Sequence, residues 1–200
     1  MKLSPKSTPG LLHLLLLAEL FVTSSSRPTH SPSLYGMFGS MIAQVEKLIS
    51  ICKKLHGLSD EELLQFVSVD HRLHGLPRLQ HTAGHLSSLK VNESLSQLYS
   101  DTQSFKLHMD WLKTAKENVS LPFKSAEDAS THLLRLSNLL NASLNQISEQ
   151  VPQSLPPSLP VVSTAFDALR FSTEIADRLQ IFCNWSKRVL RCLQRNCHRH

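Results

Sequence analysis

At 200 residues with 41% apolar side chains, the chain is long and hydrophobic enough to bury one core. Its formal net charge of +5 is mild, and with aromatics at 6% and no recognised binding motif, nucleic acid is a poor match for it. It shows no nucleophile motif, no phosphate loop and no zinc spacing, so nothing in it points to an enzyme, a metal or a cofactor.

The first residues read as a secretory signal peptide. Lys2 and Lys6 precede the apolar run Leu11 to Val22, and the small residues Thr23 to Ser26 follow. His13 and Glu19 interrupt the run, which argues against a signal anchor. Cleavage is expected near Ser26, giving a signal peptide over 1–26 and a single domain over 27–200. With no later stretch of membrane-spanning length, the mature chain is expected to be extracellular.

After a Pro- and Ser-rich lead at 27–33, the first predicted helix starts at Leu34 or Phe38 and runs to Leu55. Phe38, Met41, Ile42, Val45, Leu48, Ile49, Cys52 and Leu55 recur on one face, and Gly57 stops it. Ser59 with Glu62 has the capping-box spacing for a short turn over 60–67. A long crossover spans 57–91. Within it Leu73, Leu76, Leu79, Leu86 and Leu89 can tack the chain onto a bundle, and His71, His74, His81 and His85 read as solvated rather than metal-bound. The second helix, Asn92 to Lys116, carries the cleanest seam: Leu95, Leu98, Thr102, Phe105, Met109 and Leu112. Tyr99, Leu107 and Trp111 lie off that seam and are expected to cover a loop. The third helix, from near Ser125, carries Ala129, Leu133, Leu136, Leu140, Leu144, Ile147 and Val151 up to Pro152.

Pro152, Pro156, Pro157 and Pro160 then favour an extended crossover over 152–163. At about 3 Å per residue it can return the chain along a whole helix. The only short connection is the turn at 117–124. Long, short, long connections predict an all-α, up-up-down-down four-helix bundle.

The fourth helix, Ser163 to Arg195, has two faces. Ala165, Leu169, Ser172, Ile175, Ala176, Leu179, Phe182, Cys183, Ser186, Leu190 and Leu193 form the core stripe. Opposite them stand Arg178, Ile181, Trp185, Arg188, Cys192 and Arg195. An indole among guanidinium groups has the make-up of a protein-binding hot spot; the plainer alternative is that Trp185 packs as ordinary core. The basic end, Lys187, Arg188, Arg191, Arg195 and Arg199, also suits heparan sulfate or an acidic receptor patch.

Cys52, Cys183, Cys192 and Cys197 all survive signal removal, so an oxidising compartment makes disulfides plausible. Cys183 and Cys192 point to opposite sides of one helix about 13 Å apart, which rules out their pairing while it stays helical. Cys192 with Cys197 requires unwinding after Gln194. Cys52 and Cys183 both face the core, but helix lengths place them at different heights, and connectivity stays open. Sequons begin at Asn92, Asn118, Asn141 and Asn184. Asn118, expected in a turn, is the best glycan site, and Asn184, mid-helix, the weakest.

Particular segments carry a family likeness. They are Leu76-Pro77-Arg78-Leu79 and Ala83-Gly84-His85-Leu86 in the long loop, His108 to Lys113 in the second helix, the proline-rich linker, and Trp185-Ser186-Lys187-Arg188 spaced from Phe166 in the fourth. In order and spacing, over most of 70–195, the chain resembles the interleukin-11 family of long-chain helical cytokines related to interleukin-6, with departures suited to a divergent, non-mammalian form. That resemblance implies a ligand for a specific alpha receptor and a shared signal-transducing beta subunit, acting through Janus kinases and STAT factors. It places Trp185 and Arg188, with Ile181 beside them, on the alpha-receptor face, and Phe166 at a beta-subunit contact where the family typically has tryptophan. A further beta-subunit surface on helices one and three transfers to no particular residue. Mammalian members typically lack cysteine in the mature chain. The alternative weighed against this is a secreted helical carrier of lipid or another apolar ligand.

Overall fold

Apolar residues spaced three and four apart become helix in all four predicted places. The computed structural model describes residues 33–64, 73–78, 89–153 and 157–196. Contacts divide the chain into Met1–Ser33 and Leu34–His200. The expected signal peptide lies outside the described residues. The second unit holds α1 (Leu34–Leu55), a short α2 (Asp60–Leu64), α3 (Val91–Asn118), α4 (Lys124–Gln146) and α5 (Ala165–Asn196).

Direction follows from the cross-helix pairs. On α3 and α4, Lys113 pairs with Glu127 and Gln103 with Ser137, so the two run antiparallel. On α1 and α4, Met37 meets Ser143 and Gln44 meets His132. On α1 and α5, Glu46 pairs with Lys187, and Gly39 lies beside Gln194. On α3 and α5, Phe105 packs against Phe182 at a tilt and Trp111 meets Phe171 edge-on. Every neighbouring pair is antiparallel, so α1 and α3 point one way and α4 and α5 the other. That is the up-up-down-down arrangement.

The core is built from the expected faces. Phe38, Met41, Val45, Leu48 and Leu55 from α1, the α3 seam, and Leu133, Leu136, Leu140 and Leu144 from α4 are all buried in it. Lys116 is buried there as well: its Nζ donates to the Leu55 carbonyl at 2.6 Å, capping the end of α1, and burial pulls its pKa down.

Local chemistry sets the helix ends. Ser59 and Glu62 close the expected capping box, each accepting from the other's backbone N–H. Thr164 caps α5 by accepting from Asp167 N–H at 3.1 Å. The third predicted helix is too long by several residues, because α4 stops at Gln146 and Val151 lies beyond it. Proline is not the cause. Ser148 adopts φ 57°, and Glu149 N–H bonds to Leu144 O while Ser148 N–H bonds to Asn145 O, a Schellman ending. Ser120 ends α3 in the same way, with Leu121 N–H on Lys116 O.

The two crossovers touch. Gly75 has φ +80°, and a Cβ there would lie 2.6 Å from Pro157 Cβ. Its carbonyl accepts from Ser104 Oγ, and the neighbouring His74 carbonyl lies 3.1 Å from His108 Nε2. Leu73 and Leu76 are buried as expected; Leu79, Leu86, His71, His81 and His85 lie outside the described residues. Trp111, off the seam, covers the second crossover by donating to Pro160 O at 3.1 Å.

Gly75→Ala combines a strained φ with a steric clash, and should cost about 2 kcal/mol, read as a lowered denaturation midpoint. Asp101 is buried on α3, with Gln97 Nε2 at 2.9 Å; burial raises its pKa to about 6 against the hydrogen bond's opposing pull. A carboxyl raised in the folded state binds protons that the unfolded chain has already lost, so stability falls as pH rises from about 4 to about 6. Asp101→Asn should therefore stabilise by about 2 kcal/mol at pH 7, with the gain vanishing near pH 4 in paired urea melts.

Candidate functional site

The long α5, 32 residues, presents the residues singled out from the sequence. Its core stripe is buried from Ser172 onward, whereas Ala165 is exposed and Leu169 half-buried. Ala168, Phe171, Thr173, Glu174 and Val189 are buried in addition. The unbroken burial from Phe171 to Ala176 means that this part of the helix is covered on more than one side.

The cover is the first crossover. Glu174, 3% exposed, accepts from Leu73 N–H with both carboxylate oxygens at 3.3 Å. Arg178 pairs with Glu174 at 2.8 Å and donates to the Leu76 carbonyl at 3.4 Å. Its side chain is only 12% exposed. Arg178 thus belongs to a buried latch rather than to the open basic face on which the sequence placed it. Its position opposite the core stripe was read correctly; what covers that position comes from a loop with no helical period to reveal it.

Beyond the latch the outer face opens. Ile181 is 55% exposed and Arg188 is exposed, while Trp185 is half-buried and packs against the core. The three are spaced by four and three residues, so they share one face over about 10 Å. Trp185 is thus partly core, as the plainer sequence reading had it, and shares its helix face with Ile181 and Arg188.

The basic end of α5 is partly neutralised. Lys187 Nζ lies 2.7 Å from Glu46 Oε1, and Arg191 reaches the same oxygen at 3.5 Å. The Lys187 hydrogen bond and charge hold the Glu46 carboxyl below its usual pKa. Arg199 lies outside the described residues.

A second apolar point stands at the start of α5, where Phe166 is 58% exposed. Val161, at the end of the second crossover, is 90% exposed, and the sequence had not singled it out. Its sequence signal is a valine following Pro160 with no periodic partner. Phe166 and Trp185 are about 28 Å apart along the axis and about 100° apart around it. Leu134 on α4 and Tyr35 on α1 are further exposed hydrophobics, 46% and 41%, that lie off their helices' seams.

Among the sequons, Asn118 is the exposed last residue of α3, just before the turn at Ser120. Asn92 is exposed in the first turn of α3 and approaches Glu149 at 3.4 Å. Asn141 is half-buried on α4, and Asn184 is exposed on α5 while the Ser186 of its sequon is buried. No described helix is long and apolar enough to cross a membrane.

Comparison with known families adds the remaining piece. The Interleukin 11 family profile matches residues 28–197, which takes in all four long helices and both crossovers. No curated protein sequence matches the chain. With the profile covering the whole bundle, the chain belongs to the interleukin-11 family of helical cytokines.

Proposed function

We propose that this cytokine is secreted and binds a specific alpha receptor through the outer face of α5, then recruits the shared signal-transducing beta subunit to activate JAK/STAT signalling. The supporting observation is Ile181, an isoleucine more than half exposed, beside an exposed guanidinium and a partly uncovered indole. Apolar surface rimmed by arginine is what protein docking selects for. Phe166, exposed at the far end of the same helix, is assigned to a beta-subunit contact. Occupancy of the second site is helped by effective concentration once the first contact forms. Binding, not catalysis, is the whole of this role.

The carrier alternative needs an enclosed apolar cavity. The cleft of about 570 Å³ beside Tyr99, Leu107 and Pro157 is half open and is also lined by Ser100, Gln103, Lys106 and Asp110. That lining is polar enough to favour docking over lipid storage. Heparan sulfate is a weaker secondary partner, because Glu46 compensates Lys187 and Arg191.

Ile181→Ala and Arg188→Ala should each weaken alpha-receptor binding roughly tenfold in surface plasmon resonance with the circular dichroism spectrum unchanged. Both side chains are exposed, so the loss reads docking; Trp185→Ala would confound it by disturbing the core. Unchanged affinity in both variants would remove the assignment. Phe166→Ala should leave alpha binding intact and lower STAT phosphorylation in responsive cells, and full signalling by that variant would rule out its contact.

A further inference from the structure

Cys52 and Cys183 are not at different heights, as helix lengths alone suggest. The register of α1 on α5 fixes this. Lys187 reaches Glu46 at 2.7 Å, and a Cβ on Gly39 would stand 3.7 Å from Gln194. Continuing from the Glu46 pair by under two turns on α1, and about one turn back on α5, brings Cys52 opposite Cys183. Both belong to the core, 3% and 0% exposed. Both thiols are free and buried in the structure, and burial pushes the Cys183 thiol well up, with the neighbouring Cys52 raising it further. Cys192 lies about 13 Å farther along α5 and cannot reach either sulfur in this register. Cys197 lies outside the described residues.

We propose that Cys52 and Cys183 form a disulfide that pins α1 to α5. The pairing rests on the register, and its formation in the cell rests on the secreted reading above, since it needs an oxidising compartment. One thiolate attacks a small or protein disulfide, such as oxidised glutathione, forming a mixed disulfide and expelling one thiol. The second thiolate then displaces the other half. The two cysteine thiols lose two protons and two electrons, and the oxidant leaves as two thiols. Because both sulfurs end in the core, the exchange takes place before α1 seats on α5. The closed loop encloses α2, α3, α4 and both crossovers, and the bond holds α1 at one height against the helix that carries Ile181 and Arg188.

The test is to refold the full chain in a reduced and oxidised glutathione mixture, block free thiols with iodoacetamide, digest without reduction and map peptides by mass. A peptide pair joining Cys52 to Cys183, lost on reduction, is expected. Free thiols at both positions, or Cys183 joined to Cys192 or Cys197, overturns the pairing. A Cys192→Ser, Cys197→Ser double variant keeps only the proposed pair. After refolding it should show no reactive thiol in denaturant, and two reactive thiols per chain would refute the bond. Reducing this variant should lower Tm by about 10 °C, and an unchanged Tm would rule out a pinning role. Mapping the chain from eukaryotic cells separates the two readings: a bond formed in glutathione but absent from cells supports the register and counts against secretion.

Discussion

A helix of 32 residues cannot bury its apolar stripe against one of 22. The antiparallel register that sets Glu46 beside Lys187 brings the end of α1 level with about the middle of α5. The N-terminal third of α5 therefore projects past α1, carrying Phe171 and Ile175 toward a space that no α1 residue fills. The rest of the architecture responds to that mismatch. The first crossover sends Leu73 and Leu76 down onto α5, Trp111 meets Phe171 edge-on from the α3 side, and Trp111 also holds the second crossover through Pro160.

The loop segment has no helical hydrogen bonds of its own over 73–78, so its backbone groups need partners where they meet the core. Glu174 and Arg178 supply them, one accepting from Leu73 N–H and the other donating to Leu76 O. Burying a carboxylate and a guanidinium is costly, and a pair of this kind is poor support for stability by itself. Its value here is positional: each charge satisfies the other and also one backbone group of the loop. Gly75 then turns at φ +80° close against Pro157, so the two crossovers are fixed by one contact that admits no side chain. The Ile181 face begins within one turn of Arg178, so the latch and the outward surface share the same stretch of rod.

Much of this was legible in the sequence, and for a definite reason. Apolar period reads the inner face of each helix directly, so the α3 seam from Leu95 to Leu112 is buried residue for residue, and the Ser59–Glu62 spacing gave the capping box. Connection length gave helix direction. Period says nothing, however, about how far one helix slides along another, which is why Cys52 and Cys183 were set at different heights although both were placed in the core. Nor does it report what lies on the outer face. Arg178 and the partly covered Trp185 look alike on a helical projection, and only the docked loop separates them. The early end of α4 was missed for a third reason: a Schellman ending closed by serine lacks the glycine that usually marks it.

Rigidity links these observations to the proposed role. Two surfaces on one continuous helix, about 28 Å apart, keep a fixed separation only if the helix neither bends nor slides. The latch covers the half of α5 that bears Phe166, and α1 supports the half that bears Arg188. The role proposed above, with receptor chains held at a set spacing, gains nothing from contacts that move independently. In this chain the 73–78 segment of the long crossover is accordingly more than a connection: Leu73 and Leu76 are buried where α5 runs past α1, and Glu174 and Arg178 tie their backbone to the helix.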